Sequence, residues 1–305
     1  MLLGLLTNVG WAADRCVLAE DFTATWCTHC PEAGLALSQL EDENPGELIG
    51  IQVHYNDPPY TIAWGTSRFS SYPNHLGLPD VWFDGVLQHL GATDVPATHA
   101  AYLDLFNARQ AVPTDVTIEI GGVQVDGPTY TLDARVCLEA EGVAKPVRIY
   151  IARALDHYPT GNQYRNCLME VAATVDINLV PGRCQTVERT MTFDPTSWSQ
   201  QGNIRVFAWA QVAGDSGVRE VYQSALLAWP LTPLPPPYKP GDLDCDGSIS
   251  FADINPFVIY LSNFSAWQAA YPGCNPRNGD VNGDGSYPSF GDINPFVALL
   301  SAPPG

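Results

Sequence analysis

The chain has 305 residues, enough for two or three domains, and its hydrophobic share of 46% is ordinary for a globular protein. It carries 33 acidic and 14 basic residues, a formal net charge of −19, which disfavours nucleic acids and anionic membranes as partners. No apolar stretch reaches the length of a membrane-spanning helix, and the eight cysteines favour an oxidising compartment.

The N-terminal segment, residues 1–14, is predicted to be the remnant of a signal peptide. Residues 1–6 are mostly apolar, and residues 11–13 resemble a small-residue cleavage site, although no Lys or Arg precedes Arg15. We therefore expect an exported protein, secreted to the extracellular space or the periplasm, whose first domain spans residues 15–111.

Two cysteines with two residues between them follow a predicted buried strand at residues 17–22 and precede a predicted helix at residues 32–40. The motif reads Trp26, Cys27, Thr28, His29, Cys30 and Pro31. The N–H groups and dipole of a helix N-terminus stabilise a thiolate, so Cys27 is predicted to be the attacking nucleophile and Cys30 the resolving thiol. A zinc site and a permanently closed structural disulfide are the alternatives, but no second ligand pair has metal-binding spacing.

A second segment, residues 77–85, contains Leu78 and Pro79 ahead of an apolar strand and ends on a Gly turn. Together with the cysteine motif it resembles the thioredoxin superfamily over about residues 15–110. The resemblance implies an α/β domain with helices on both faces of a sheet, a cis peptide bond at Leu78–Pro79, and Pro79 holding a substrate strand against the sulfurs. It also implies that Asp21, six residues before Cys27, is a buried acid that relays the proton of Cys30.

The position of His29 between the cysteines is typical of the more oxidising members of that superfamily, because a donor or cation beside the sulfur favours the reduced form. The predicted catalytic set is Trp26, Cys27, His29, Cys30, Asp21 and Pro79. The other histidines of this half have no ligand-like spacing, and His54 is interpreted as a strand residue.

Residues 112–230 are predicted to form an antiparallel β-sandwich, because short stretches of alternating polar and apolar residues are separated by Gly, Pro and Asp. Strands are predicted at 115–120, 130–138, 147–152, 186–193 and 203–211. A thioredoxin-like domain followed by a β-sandwich resembles the domain order of a family of bacterial outer-membrane and secreted proteins with an immunoglobulin-like second domain. Trp198 and the 203–211 strand match the end of that second domain. This resemblance implies a fold, and the segment holds no catalytic cluster.

A proline-rich linker, residues 231–240, is predicted to be an extended spacer before an acidic tail at 241–305. The first calcium loop of the tail has oxygen ligands at positions one, three, five, seven and twelve, with Gly247 at position six. These ligands are Asp242, Asp244, Asp246, Ser248 and Asp253. A second loop repeats the pattern with Asp280, Asn282, Asp284, Ser286 and Asp292. One extra residue near position 287 moves Asp292 to position thirteen, which predicts a distorted or weak second site.

The pair of repeats resembles a type I dockerin over about residues 241–301, since both loops are followed by nearly the same sequence, at 250–258 and 289–297. The resemblance implies a small α-helical, EF-hand-like module that binds up to two Ca²⁺ ions and a protein receptor; no organic cofactor is expected. Dockerins usually place small polar residues at their recognition positions. Here Phe251 and Phe290 stand there, which argues against cohesin as the receptor.

The cysteines outside the motif allow several pairings. Cys245 and Cys274 are predicted to bridge the two calcium repeats, and Cys167 and Cys184 to close a loop in the middle domain. Cys16 and Cys137 then remain, either paired with each other or as buried thiols.

The sequence favours an exported thiol–disulfide oxidoreductase of the oxidant or isomerase type. Its substrates are predicted to be protein thiols and disulfides, and its calcium-stabilised tail is predicted to anchor it or to bind a receptor. The alternative is a non-catalytic secreted surface or assembly protein that uses its domains for binding, with the tail acting in the dockerin–cohesin manner.

Overall fold

The structure, a computed structural model, describes residues 13–214 and 219–301. The chain divides into two compact units, Met1–Leu234 and Pro235–Gly305. The break between them falls inside the predicted linker, residues 231–240. Of the predicted signal-peptide remnant only Ala13 and Asp14 are described, and the rest lies outside the described residues.

The first unit, termed unit 1, is mostly sheet with several helices. Its strands are β1 (Val17–Thr23), β2 (Leu48–His54), β3 (Asp80–Phe83), β4 (Leu87–Leu90), β5 (Val116–Asp126), β6 (Thr129–Leu138), β7 (Lys145–Leu155), β8 (Cys167–Val171), β9 (Val175–Leu179), β10 (Arg183–Thr192), β11 (Ile204–Val212) and β12 (Val221–Ala228). Its helices are α1 (Cys30–Glu43), α2 (Ala63–Ser71), α3 (Val95–Gln110) and α4 (Pro195–Ser199). The predicted strands and the helix after the cysteines are present, whereas α2, α4, β4, β8, β9 and β12 were not predicted.

One sheet of nine strands runs through unit 1. Its strands lie in the order β12-β11-β7-β8-β2-β1-β3-β4, and β9 pairs with β7 beside β8. β1 and β2 are parallel, and β8 is parallel to β2 at the single pair Gln52–Cys167. A second, antiparallel sheet has the order β10-β6-β5. The domain boundary predicted at residue 111 therefore falls within one compact unit. Strands from before and after this residue belong to the same nine-stranded sheet.

Alternation along β1 assigns its side chains to two helical layers. Val17 and Ala19 pack in the core covered by α1 and α3, and Leu18 and Phe22 pack on the opposite face with Phe69 of α2. Because successive strand residues point to opposite faces, Asp21 lies on the α1 side. The result is a helix–sheet–helix arrangement around the cysteine motif.

The helix α2 is attached to β1 by a buried ion pair. Arg68 Nε and Nη2 donate to the Glu20 carboxylate at 2.8 and 2.7 Å, and the Tyr72 hydroxyl also donates to it. Burial alone lowers the pKa of the Arg68 guanidinium, but the adjoining Glu20 carboxylate outweighs burial and raises it. The paired charges allow α2 to cover a polar position of the sheet.

The three-stranded sheet covers one face of the second half of the large sheet. Inward residues of β5, β6 and β10 pack against those of β7, β9 and β11 in the largest apolar core. On the opposite face, Tyr150 and Trp209 stack with ring centroids 4.6 Å apart and meet Trp64 of α2 edge-on. The core beneath α2 is thus built by both halves of unit 1.

The disulfide predicted between Cys167 and Cys184 is wrong. Cys184 bonds to Cys137, because β10 and β6 pair in a register that places these two residues directly opposite each other. Cys167 lies in a different sheet, opposite Gln52, and is a buried free thiol. Cys16 is the other free thiol, so the pairing of Cys16 with Cys137 is also excluded.

The second unit, termed unit 2, is helical: α5 (Ile254–Ser262), α6 (Phe264–Ala270) and α7 (Ile293–Ser301). Short 3₁₀ turns at Phe251–Asp253 and Phe290–Asp292 precede α5 and α7. Its small core consists of Leu243, Phe257, Tyr260, Trp267, Cys274 and Phe296. The predicted disulfide between Cys245 and Cys274 is present and closes against this core.

Candidate functional site

The cysteine motif forms a turn that ends β1 and begins α1. Cys27 and Cys30 are joined in a disulfide, with Cα atoms 5.4 Å apart. The helix begins at Cys30, so Cys27 lies in the preceding turn, where its N–H donates to the Ala24 carbonyl at 3.2 Å. Cys27 is 8% exposed and Cys30 2%. Both residues are buried, and Cys27 is the more exposed of the two.

The segment before Pro79 packs directly on this turn. Ala24, Cys27 and Cys30 form a small apolar cluster, and the partly buried Leu78 lies against it. The peptide bond Leu78–Pro79 is cis, as predicted. β3 then begins at Asp80 and pairs with β1, which brings the start of β3 to the same end of the sheet as the cysteine turn.

Trp26 and His29, the other two residues of the cysteine motif that were predicted to be catalytic, are exposed. The Trp26 indole N–H donates to the Asn56 carbonyl at 3.0 Å, which leaves 58% of the residue open to solvent beside the disulfide. His29 occupies the N-cap position of α1, but its side chain makes no capping hydrogen bond.

Asp21 is fully buried on the α1 face of β1. One carboxylate oxygen accepts from Gln52 Nε2 at 3.1 Å, and the other has no hydrogen-bond partner. Burial above all, with a smaller contribution from Asp80, raises the pKa of Asp21 to about 7. A carboxyl group with this pKa can take up and release a proton near neutral pH. No hydrogen bond joins it to Cys30 in the described part of the chain.

Replacing Asp21 with Asn is expected to change the pH dependence of stability. The folded state holds the Asp21 proton up to about pH 7, whereas the unfolded carboxyl ionises near its ordinary pKa of 3.8. Between these values the native state binds more protons, so the wild type loses stability as pH rises. Asn does not titrate, so Asp21→Asn should gain about 2 kcal/mol relative to wild type between pH 5 and pH 8.

Urea unfolding at the two pH values measures this difference. Asp104→Asn is the matched control, because Asp104 is an exposed acid on α3. A relative gain that is equal for both variants would mean that Asp21 is ordinary in the folded protein.

A residue that sequence reasoning missed lies beneath the motif. Asp57, in the loop after β2, is 3% exposed, and its carboxylate contacts both the Thr25 hydroxyl and the Thr25 N–H. His54, interpreted from the sequence as a strand residue, ends β2 and also forms a hydrogen bond with Asp57 through Nδ1. The one sequence signal was an acid three residues after a strand-end histidine.

The acidic loops of unit 2 are alike in structure. In the first, single carboxylate oxygens of Asp242, Asp244 and Asp246 lie within 4.8 Å of one another. Asp253, the last residue of the 3₁₀ turn before α5, accepts backbone N–H groups of Leu243 and Asp244 at 2.7 and 3.1 Å. The turn passes through Gly247 at φ 87°, a left-handed conformation that favours glycine.

Despite the extra residue in the second loop, Asp292 makes the same backbone hydrogen bonds as Asp253 of the first loop. Asp292 accepts the N–H groups of Val281 and Asn282 at 2.8 and 3.0 Å, as Asp253 does in the first loop. Asp280 accepts the Gly285 N–H at 3.1 Å, as Asp242 accepts that of Gly247. The predicted displacement of Asp292 is therefore absorbed in the segment before Phe290, and the backbone pattern is kept.

Buried oxygens without partners point into both loops. One carboxylate oxygen each of Asp242, Asp280 and Asp292 is buried and has no hydrogen-bond partner. Unit 2 holds seven aspartates against two basic residues, Lys239 and Arg277. Hard divalent cations prefer oxygen ligands of this type, so the donor set fits Ca²⁺.

Among the described residues, no helix combines the length and the apolar character that a membrane crossing requires.

Comparison with known proteins gives similarity at the level of fold. No family model and no curated protein matches the chain. HBP35 of Porphyromonas gingivalis has a similar structure, with a TM-score of 0.58 and 16% identity over 70% of this chain and 75% of that chain. A protein of Agrobacterium tumefaciens has a TM-score of 0.50 and 18% identity over 71% of this chain and 96% of that chain. Both folds, with the Cys27–Cys30 pair, fit a thioredoxin-like head joined to a sheet domain.

Proposed function

We propose that the protein is an exported thiol–disulfide oxidoreductase of the oxidant or isomerase type, with Cys27 and Cys30 as its redox-active pair. The observation that carries the proposal is the position of the disulfide at the start of α1, packed against Leu78 ahead of the cis Pro79. This is the arrangement that the thioredoxin superfamily uses for exchange between protein thiols and disulfides. The disulfides of both units suit an oxidising, extracytoplasmic location.

The exchange follows from the exposure of the two sulfurs. A substrate thiolate attacks Cys27 Sγ, the Cys27–Cys30 bond breaks, and Cys30 leaves as a thiolate that takes up a proton. A second substrate thiol then attacks the substrate sulfur of the mixed disulfide, and Cys27 leaves. The substrate is thereby oxidised to a disulfide and the protein is reduced by two electrons, which a low-molecular-weight disulfide such as glutathione disulfide removes again.

The proposed roles of the other residues follow their positions. Asp21, buried with a pKa of about 7, is proposed to exchange a proton with the inner thiol, Cys30. Pro79 and Leu78 are proposed to hold an extended substrate segment over Cys27, with the exposed Trp26 ring beside it. His29, exposed at the helix cap, is proposed to favour the reduced form through its proximity to the turn.

Unit 2 is proposed to be a dockerin-like, EF-hand-like module that binds up to two Ca²⁺ ions and anchors the protein or recruits a receptor. The first ion would be held by Asp242, Asp244, Asp246, Ser248 and Asp253. The second would be held by Asp280, Asn282, Asp284, Ser286 and Asp292. Bound Ca²⁺ would neutralise the clustered carboxylates, whose unpartnered oxygens support the assignment.

The test is turnover of the whole protein. We expect the wild type to reactivate scrambled ribonuclease in a glutathione redox buffer, and the oxidised protein to form disulfides in reduced ribonuclease. Insulin reduction should be slow, since an oxidant or isomerase is a weak reductant. A reduction potential near −270 mV, as in thioredoxin, would contradict the oxidant assignment.

A second function is supported by one feature of unit 2. Phe251 and Phe290 are 76% and 77% exposed at equivalent places of the two repeats. Paired exposed aromatic residues favour binding of a partner, so a non-catalytic surface or assembly protein is the alternative. A dithiol that is alkylated after mild reduction but supports no turnover would favour this second reading.

A further inference from the structure

The Asp57 carboxylate accepts two hydrogen bonds from the turn before Cys27. Asp57 Oδ1 accepts from the Thr25 hydroxyl at 2.7 Å, and Oδ2 accepts from the Thr25 N–H at 2.6 Å. Oδ2 also lies 2.7 Å from His54 Nδ1. An ionised carboxylate only accepts hydrogen bonds, so Nδ1 of His54 carries the proton of this contact.

Asp57 is itself fixed from several sides. Its N–H donates to the Thr61 hydroxyl oxygen at 2.6 Å, and its carbonyl accepts the N–H groups of Tyr60 and Thr61. The ring of His54 lies beside those of Tyr60 and Tyr164, at centroid distances of 5.3 and 5.9 Å. The backbone of Asp57 and the ring of His54 are therefore each held by further contacts.

We propose that Asp57, supported by His54, is a positioning residue for the dithiol, acting through Thr25 two residues before Cys27. The inference rests on the proposed redox function. Asp57 makes no hydrogen bond to either sulfur in the described part of the chain, so it does not take part in the exchange itself. It keeps the turn in the conformation in which the Cys27 sulfur faces that of Cys30.

The positioning has a measurable consequence for the redox equilibrium. In the disulfide form the turn is closed, and the Asp57–Thr25 contacts are made at full strength. In the dithiol form the same contacts hold the two sulfurs close together and raise their effective concentration for ring closure. Weakening the contacts therefore destabilises the disulfide relative to the dithiol, and the reduction potential rises.

Thr25 offers a clean test, because it is exposed and its hydroxyl can be removed without loss of shape. Thr25→Val keeps the N–H contact and the branched side chain. We expect the equilibrium constant for oxidation of the dithiol in a thiol–disulfide redox buffer to fall about fivefold, which corresponds to a rise of about 20 mV. Thr25→Ser retains the hydroxyl and should keep the wild-type potential. The matched control is Thr174→Val, at an exposed threonine between β8 and β9.

Asp57→Asn is the second variant. It preserves the size of the side chain but removes the charge and one acceptor, so the constant should fall about tenfold, a rise of about 30 mV. Loss of the negative charge near the turn acts in the same direction, because it favours a thiolate at Cys27. Near-ultraviolet circular dichroism of both redox forms confirms that the variant is folded.

An unchanged potential in Thr25→Val, or an equal rise in Thr25→Ser or Thr174→Val, would overturn the positioning role. These potentials are equilibrium measurements and need no protein substrate. If the potential rises in Thr25→Val and Asp57→Asn but the wild type shows no ribonuclease turnover, the proposed function is contradicted and the positioning role of Asp57 stands. If the wild type shows turnover but its potential equals those of Thr25→Val and Asp57→Asn, the proposed function stands and the positioning role is contradicted.

Discussion

Replacing Cys27 with serine is expected to abolish turnover completely. A hydroxyl oxygen cannot form the mixed disulfide, so the exchange loses the only sulfur that a substrate can reach first. Cys30, at 2% exposure, is too enclosed to take over. Rates in the scrambled-ribonuclease assay should fall to the level of the redox buffer alone, and Cys30→Ser should instead trap a mixed disulfide between Cys27 and the substrate.

The other thiols do not confuse this experiment. Burial raises the pKa of the Cys16 thiol to about 12 and raises that of Cys167 further, so both react slowly with alkylating agents at neutral pH. Cys16→Ser is the matched control and should keep wild-type turnover. If the Cys27→Ser protein remained as active as this control, Cys27 and Cys30 would form a structural disulfide and the binding-protein alternative would gain.

Removal of Ca²⁺ is expected to unfold unit 2 and to leave unit 1 folded. Unit 2 has a core of only six buried residues, and its aspartates outnumber its basic residues seven to two. Burial, reinforced by neighbouring carboxylates, raises the pKa of Asp242 and Asp292, which shows the cost of burying these charges without a counterion. A cation at 100 times its dissociation constant would contribute about 2.7 kcal/mol for each loop.

Hydrogen exchange of the full chain, followed by mass spectrometry, resolves the two units in one sample. In excess chelator the amides of α5 and α7 should lose protection, while those of β1 and β2 stay protected. Adding Ca²⁺ should restore protection in the wild type. Asp242→Ala and Asp280→Ala should each need at least tenfold more Ca²⁺, and the exposed Asp126→Asn of β5 should behave as wild type. Protection in α5 and α7 that is unchanged by chelator would exclude a structural role for calcium.

The elements around the cysteines were accessible from the sequence, because local signals specify them. An apolar run before the motif predicts β1, and Pro31 with the following apolar periodicity predicts α1. The cis bond at Pro79 and the bridge from Cys245 to Cys274 were likewise predicted correctly. For β1 and α1 the deciding signal is local, whereas the cis bond at Pro79 was implied by the resemblance to the thioredoxin superfamily.

The missed features depend on contacts between distant segments. The joint between β2 and β8 is one parallel pair, Gln52 with Cys167, and no local pattern announces it. Because the register of β6 and β10 could not be read from the sequence, Cys184 was given the wrong partner. The support of Thr25 by Asp57 likewise depends on a loop 32 residues away in the sequence.

The pairing of β2 with β8 also has a consequence for the evolution of this protein. The Gln52 side-chain amide donates to the Gln163 carbonyl, and the Asn166 side-chain amide donates to the Gly50 carbonyl. The half of unit 1 that carries the cysteine motif and the other half therefore have matched polar groups where β2 meets β8. Recombination that exchanged only one half for that of another gene would leave buried amides unpaired on both sides. The two halves of unit 1 are therefore expected to be inherited together, whereas the C-terminal repeats form a compact unit of their own.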